Sequence, residues 1–278
     1  MRTIIHLSDL HFGRVDQALL GPLRELIHSI APDVVVISGD LTQRAKSEQF
    51  EEARAFLDSL PGPQIVVPGN HDISLYNVFR RFVKPLDRYK RYITDDLDPI
   101  FVDDEIAVVG VNTARSLTIK DGRLNKEQVA GIRSQLAGLD PKITRIVVTH
   151  HPFDLPTSFE EKDLVDRAEM AMEVFAECGV DVLLAGHMHV SHAASTASRY
   201  RIDAYAALVV QAGTATSTRG RGEVNSFNLL RVEHERVEID RYGWDMLTNT
   251  FRVVVTEKFL RSGNVWAEAT DGMLAAGI

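Results

Sequence analysis

The chain has 278 residues, 45% of them hydrophobic and 25% charged, with 31 Lys plus Arg against 39 Asp plus Glu. That composition is ordinary for a globular protein, and the length allows a sizeable core without staples. The net charge of -8 argues against broad electrostatic binding of nucleic acid, and the single cysteine, Cys178, excludes an intramolecular disulfide or cysteine–metal framework.

The first two-thirds alternate short apolar runs with helical patterns. Thr3 to Ser8 reads as a buried strand, and Leu19, Leu23, Leu26, Ile27 and Ile30 recur at helical spacing. Val34 to Ser38 is a second β-branched run. Phe50, Ala53, Leu57 and Leu60 mark a helix stopped by Pro61-Gly62-Pro63, and Ile65 to Val67 is a third strand. From Ile73 to Pro99 the pattern loosens. Tyr76, Phe79, Phe82 and Leu86 suggest a helix, and the Arg80 to Arg91 run reads as its solvated face.

Ile106 to Val111 is strand-like. Asn125, with Gln128 three residues on, predicts a capped helix through Val129, Ile132 and Leu136. Ile143 to Thr149 is another strand. Ala168, Ala171, Met172 and Phe175 form a helical face ending at Gly179, and Val182 to Ala185 follows as a strand. After about Ser191 the character turns to β. Arg201 to Tyr205 alternates, Leu208 to Val210 is apolar, Phe227 to Tyr242 reads as a hairpin, and Phe251 to Val255 as one more strand. The N-terminus lacks the layout of a signal peptide, and no apolar run approaches bilayer length, so a cytoplasmic protein with no membrane partner is expected.

Polar residues collect where strands end, the usual ligand edge of α/β sheets. They read Ser8-Asp9-Leu10-His11, Gly39-Asp40, Gly69-Asn70-His71-Asp72, His150-His151-Pro152 and Gly186-His187-Met188-His189. Each alone is weak: Asp-x-His is common and Gly-Asp is usually a turn. Together, each after a strand, they supply seven oxygen or imidazole donors: Asp9, His11, Asp40, Asn70, His150, His187 and His189. Such donors suit Mn, Fe or Zn, and seven exceed what one first-row ion takes. With one carboxylate bridging, they serve two ions with four ligands each and leave positions open for substrate. Asp9 and His11 lie two apart, as do His187 and His189, so an extended segment would turn each pair to one side.

The five motifs in this order resemble the calcineurin-like metallophosphoesterases, and most resemble their bacterial class III cyclic-nucleotide phosphodiesterase branch. The resemblance covers about residues 1–243. It implies an α/β fold, a four-layer sandwich of two mixed β-sheets flanked by helices. Residues 1–245 would form the metallophosphoesterase domain. Residues 246–278 would be a C-terminal strand and tail, capping the site or making an oligomer contact. The resemblance also implies one metal on Asp9, His11, Asp40 and His189 and a second on Asp40, Asn70, His150 and His187. These would be two divalent or trivalent ions, with Mn, Fe and Zn left open. His71 matches the family's catalytic histidine beside the scissile phosphate, and Asn70 would touch substrate as well. Purple acid phosphatases carry a tyrosine ligand where this chain has Gln43, which argues against a tyrosinate–iron site.

The implied function is a metal-dependent phosphodiesterase acting on a small phosphodiester such as a 3′,5′-cyclic nucleotide. A water shared between two cations would attack phosphorus in line with the leaving oxygen. A phosphomonoesterase, a nucleotide pyrophosphatase and a non-catalytic metal scaffold are the alternatives. His151 reads as a supporting or structural residue, and His192 as a surface histidine. Arg219 and Arg221 suit a phosphate-facing loop by chemistry and a solvated loop by default.

Overall fold

Adjacent residues of the strands enter different cores. In β1 (Arg2–Leu7), Ile4 joins one apolar cluster, and Ile5 and Leu7 another. In β2 (Val34–Ile37), Val34 and Val36 side with Ile4, whereas Val35 and Ile37 side with Ile5. A strand alternates faces residue by residue, so a continuous apolar run means burial on both sides. The structure is a computed structural model, and it describes residues 1–74, 78–116, 121–156, 159–219 and 222–269, with the side chains of 78–80 excepted.

Between β1 and β2 runs α1 (Gln17–Ile30), capped by the Asp16 carboxylate, which accepts from the Ala18 N–H. α2 (Ser47–Asp58) leads to β3 (Gln64–Val66). Two short helices, α3 (Val78–Val83) and α4 (Asp87–Tyr92), follow. β4 (Ile100–Val102) and β5 (Ile106–Gly110) open the second sheet. α5 (Lys126–Leu136) begins at the predicted Asn125–Gln128 capping box and precedes β6 (Thr144–Val148). α6 (Ala168–Cys178) ends at Gly179 in a left-handed cap and precedes β7 (Val182–Ala185). The remainder is β8 (His192–Ser195), β9 (Leu208–Gln211), β10 (Ser226–Glu233), β11 (Arg236–Asp245), β12 (Thr250–Ser262) and β13 (Val265–Glu268).

The first sheet runs β13-β12-β11-β10-β1-β2-β3 and the second β4-β5-β6-β7-β9-β8. Both are mixed. β1, β2 and β3 are parallel, and β10 to β13 are antiparallel. In the second sheet β5, β6, β7 and β9 are parallel, with antiparallel edges. The sheets face each other across Ile4, Val36, Val108, Val148, Leu184 and Leu230. α1, α2 and α4 cover the outer face of the first sheet, and α5 and α6 that of the second. The result is the four-layer sandwich expected. All parallel strands point their carboxyl ends at one edge of the sandwich.

The structure departs from the sequence reading at several elements. The Arg80 to Arg91 run is not simply a solvated face. Tyr89 is fully buried with its hydroxyl on the Val66 carbonyl, Arg81 is buried and donates to the Ser116 carbonyl, and Arg88 donates to that of Ala45. Tyr76, part of that predicted helix, lies outside the described residues. Arg201 to Tyr205 forms only an isolated bridge between Ile202 and Tyr205. The last predicted strand extends over Thr250–Ser262, with a bulge at Val254 opposite the Arg241/Tyr242 step of its partner. His192 starts the edge strand β8, where it is half-buried.

Candidate metal centre

Each parallel strand hands the chain to the shared edge just before a candidate ligand. β1 ends at Leu7 before Asp9, β2 at Ile37 before Asp40, and β3 at Val66 before Asn70. From the facing sheet, β6 ends before His150, and β7 before His187 and His189. The donors therefore converge from both sheets.

Asp9, His11, Asp40 and His189 are buried, and each offers a ligand atom within 4.8 Å of the others. His11 Nε2 lies 3.5 Å from Asp9 Oδ1 and 3.7 Å from Asp40 Oδ2. His189 Nε2 lies 3.2 Å from Asp9 Oδ1 and 3.3 Å from His11 Nε2. On the other side of Asp40, His150 Nε2 is 3.4 Å from Asp40 Oδ1, 3.1 Å from Asn70 Oδ1 and 3.2 Å from His187 Nδ1. So Asp40 turns one carboxylate oxygen to each half. The structure brings all seven sequence-predicted donors together.

The means differ from the extended-segment argument, which the backbone overturns. Asp9, His11, Asp40, His187 and His189 all adopt left-handed conformations, with φ between 51° and 72°. Such residues are uncommon and cost on the order of 1–3 kcal/mol each. A chain leaving a strand must fold back sharply to aim two side chains at one point, and a left-handed residue does this. Gly39, at φ 96°, makes the same bend before Asp40.

Neighbouring groups fix the donor atoms. His150 Nδ1 donates to the Ser38 carbonyl at 2.8 Å, which aims Nε2 at Asp40. Asp9 Oδ2 accepts from Ser8 Oγ at 2.6 Å and from the His187 N–H at 3.0 Å. Its Oδ1 is buried with no hydrogen-bond partner and faces Nε2 of His11 and His189. Acceptor atoms facing one another without a proton between them fit a cation.

Burial opposes charge on His150, yet Asp40 outweighs it and lifts that imidazole to about 9. Burial, with His150 adding to it, pushes His187 down to about 3. Burial alone would raise the Asp40 carboxyl, but His150 and its neighbours hold it well below the usual range. His187 thus already offers the neutral nitrogen a metal needs, and at His150 a metal would displace a proton.

Asp72, which ends the Gly69-Asn70-His71-Asp72 motif, is buried. Its carboxylate accepts from the N–H groups of Leu41 (3.1 Å), Thr42 (2.8 Å) and Gly69 (2.9 Å) and from Thr42 Oγ1 (3.0 Å), which staples two ligand loops together. His71 is held by Nδ1 donating to the Gln43 carbonyl at 2.9 Å. No side-chain pattern announces a backbone acceptor, so this partner had no sequence signal.

His151 joins His150 and His187 in a second group within 4.8 Å, with its Nδ1 2.8 Å from Thr113 Oγ1. Arg219 reaches the centre: its Nη1 lies 3.1 Å from His71 Nε2. Arg221 lies outside the described residues. The hydroxyls of Thr214 and Thr216, which had no sequence signal either, donate to the carbonyls of Asp9 and Leu10 at 2.8 and 2.9 Å.

An α/β sandwich that gathers carboxylate and imidazole donors at one edge has the build of the metallophosphoesterase class. The chain belongs to the calcineurin-like phosphoesterase family, whose model matches residues 2–191. That family is one of phosphoester hydrolases. The chain is 27% identical over 172 residues to the glycerophosphodiester phosphodiesterase GpdQ of Enterobacter lignolyticus, covering 55% of this chain and 58% of that protein. It is 24% identical over 201 residues to the 3′,5′-cyclic adenosine monophosphate phosphodiesterase CpdA of Escherichia coli K12, covering 67% of this chain and 69% of that one. A purple acid phosphatase from yellow lupin shares the fold at TM-score 0.70 and 14% identity, over 94% of this chain and 54% of the other. Among the described residues, no helix is long and apolar enough to cross a membrane.

Proposed function

We propose that the protein is a metal-dependent phosphodiesterase acting on a small phosphodiester, with a cyclic nucleotide the leading candidate. Asp9, His11, Asp40 and His189 would hold one ion, and Asp40, Asn70, His150 and His187 the other, with Mn, Fe or Zn the metals the donors suit. Bound there, the ions would supply Lewis acidity toward phosphoryl oxygens and a strong nucleophile at neutral pH.

The chain's own residues prepare that chemistry. Asp40 presents Oδ2 to His11 and Oδ1 to His150, the placement a bridging ligand needs. This single observation carries the reading. Ser38 fixes which His150 nitrogen faces inward. Gln43 fixes His71 so that Nε2 is the atom left to serve a leaving oxygen. Asn70, buried beside His150, offers its side chain to metal and substrate together. The diester preference is supported by the two bacterial relatives, one a glycerophosphodiester and the other a cyclic-nucleotide phosphodiesterase. The single cysteine fits a reducing, cytoplasmic location.

The test is a substrate panel on Mn-loaded protein: bis-p-nitrophenyl phosphate, p-nitrophenyl phosphate, a nucleotide pyrophosphate and cyclic AMP. Faster turnover of the diesters is the expected result. A preference for the monoester or the pyrophosphate would replace the diester reading. Metal binding without any hydrolysis would replace the enzyme by a metal-binding scaffold.

A further inference from the structure

The segment after β9 runs beside the segment that carries Asp9 and His11. The Ala215 N–H donates to the Ser8 carbonyl at 3.0 Å, the Asp16 N–H to Thr216 at 2.9 Å, and the Thr218 N–H to Arg14 at 2.9 Å. Asn225 Nδ2 closes the loop from inside by donating to the Ser217 carbonyl at 2.9 Å. Arg219 leaves this ladder with its own N–H on Ser217 Oγ at 3.1 Å. Its position is therefore built by the fold.

The Arg219 guanidinium ends at the centre. Nη1 donates to His71 Nε2 at 3.1 Å, and the His71 ring lies 5.0 Å from that of His11. Because His71 Nδ1 gives its proton to the Gln43 carbonyl, Nε2 is the lone-pair nitrogen, so the donor direction is settled. Among the described residues, no carboxylate forms an ion pair with Arg219. Arginine on a protein surface commonly pairs with a carboxylate. Here a permanent cation with five donors rests by one of them on a neutral ring beside a cluster of candidate ligands.

We propose that Arg219 is the phosphoryl-oxygen anchor of the site, parked on His71 until an anionic phosphoester draws it onto a non-bridging oxygen. The proposal rests on the phosphoesterase reading above. It adds a coupling: moving the guanidinium onto phosphate frees the His71 Nε2 lone pair, which can then take up a proton from solvent and pass it to the leaving oxygen. A forked donor matches two oxygens of one phosphate, and such charge-assisted bonds are the stronger kind.

Inorganic phosphate is the probe, titrated calorimetrically into Mn-loaded wild type, Arg219→Ala and Arg219→Lys, with metal content measured for each. Arg219→Ala should weaken phosphate binding at least about tenfold at unchanged metal content, the scale of a lost hydrogen bond to a charged group. Arg219→Lys should recover part of the loss, since charge survives but the fork does not. For bis-p-nitrophenyl phosphate the alanine variant should raise KM more than it lowers kcat. In metal-free protein, the imidazole 15N resonances of His71 should move in Arg219→Ala, because Nε2 loses its donor. Phosphate binding within twofold of wild type overturns the anchor, and unmoved His71 resonances overturn the parking. A wild type that hydrolyses no diester overturns the function proposed above, and the phosphate titration still decides the role of Arg219.

Discussion

Asp40 stands between the two halves of the centre. It faces His11 with one oxygen and His150 with the other, and Oδ1 also accepts the His71 N–H at 2.8 Å. Asp40→Asn keeps the shape and one acceptor but removes the charge shared between the halves. Loss of supporting groups around a metal commonly costs 10–100-fold in affinity or activity. Loss of the bridge should therefore cost at least about 10²-fold in activity, with metal content well below two ions per chain by elemental analysis. Two tightly held ions in Asp40→Asn would refute the bridging role. Gly186 makes a different demand. A Cβ there would run into Ser8 Oγ and sit 2.8 Å from Asp9 Oδ2. Since Ser8 holds Asp9, Gly186→Ala should push the Asp9 carboxylate off its position. Overpacking of this kind costs about 1–3 kcal/mol. Competition against a chromogenic chelator should show weakened metal affinity, and wild-type affinity would mean that the close approach is not what places Asp9.

At the level of elements, the parallel strands were legible in the sequence because they are buried on both faces and read as unbroken β-branched runs. The helices over them were legible through their period and caps, Asn125 with Gln128 and Gly179 above all. Short edge strands were not. β4, β8 and β13 span three or four residues and carry no run long enough to stand out. β12 was cut short because its bulge breaks the alternation and Val253, Val254 and Val255 are exposed on both sides of it. The donors of the centre were legible because their chemistry is rare in combination. Their left-handed backbones were not, since nothing local marks Asp9 or His187 as strained. The role of β13 follows from Trp266, which is 1% exposed between the sheets with its indole N–H 3.1 Å from Asp181 Oδ1. We propose that residues 250–268 are integral to the domain rather than an appended strand. Trp266→Ala should destabilise the chain by about 3–5 kcal/mol in urea unfolding. A loss below about 1 kcal/mol would return this segment to the status of an accessory.

For the whole molecule, the net charge of -8 says little about the field where it matters. Asp9 and Asp40 lie at the meeting edge of two sheets, among imidazoles and within reach of a guanidinium from the last third of the chain. The first sheet gives Asp9, His11, Asp40 and Asn70, and the second gives His150, His187 and His189. Ions bound between them would clamp one layer of the sandwich to the other and stabilise only the folded state, because the unfolded chain does not hold these groups together. Each site occupied at 100 times its Kd adds about 2.7 kcal/mol. For a chain of this size, each kcal/mol is worth roughly 2 °C in Tm. Metal-loaded protein should therefore melt about 10 °C or more above the same protein stripped with a chelator, and re-addition of Mn should restore the difference. The Asp40→Asn variant should lose most of this shift. Arg219→Ala should keep it, because Arg219 is placed to meet substrate and not to hold the sheets. If stripping metal left Tm unchanged, the two sheets would owe nothing to the centre, and the donors would not be acting as ligands across the interface.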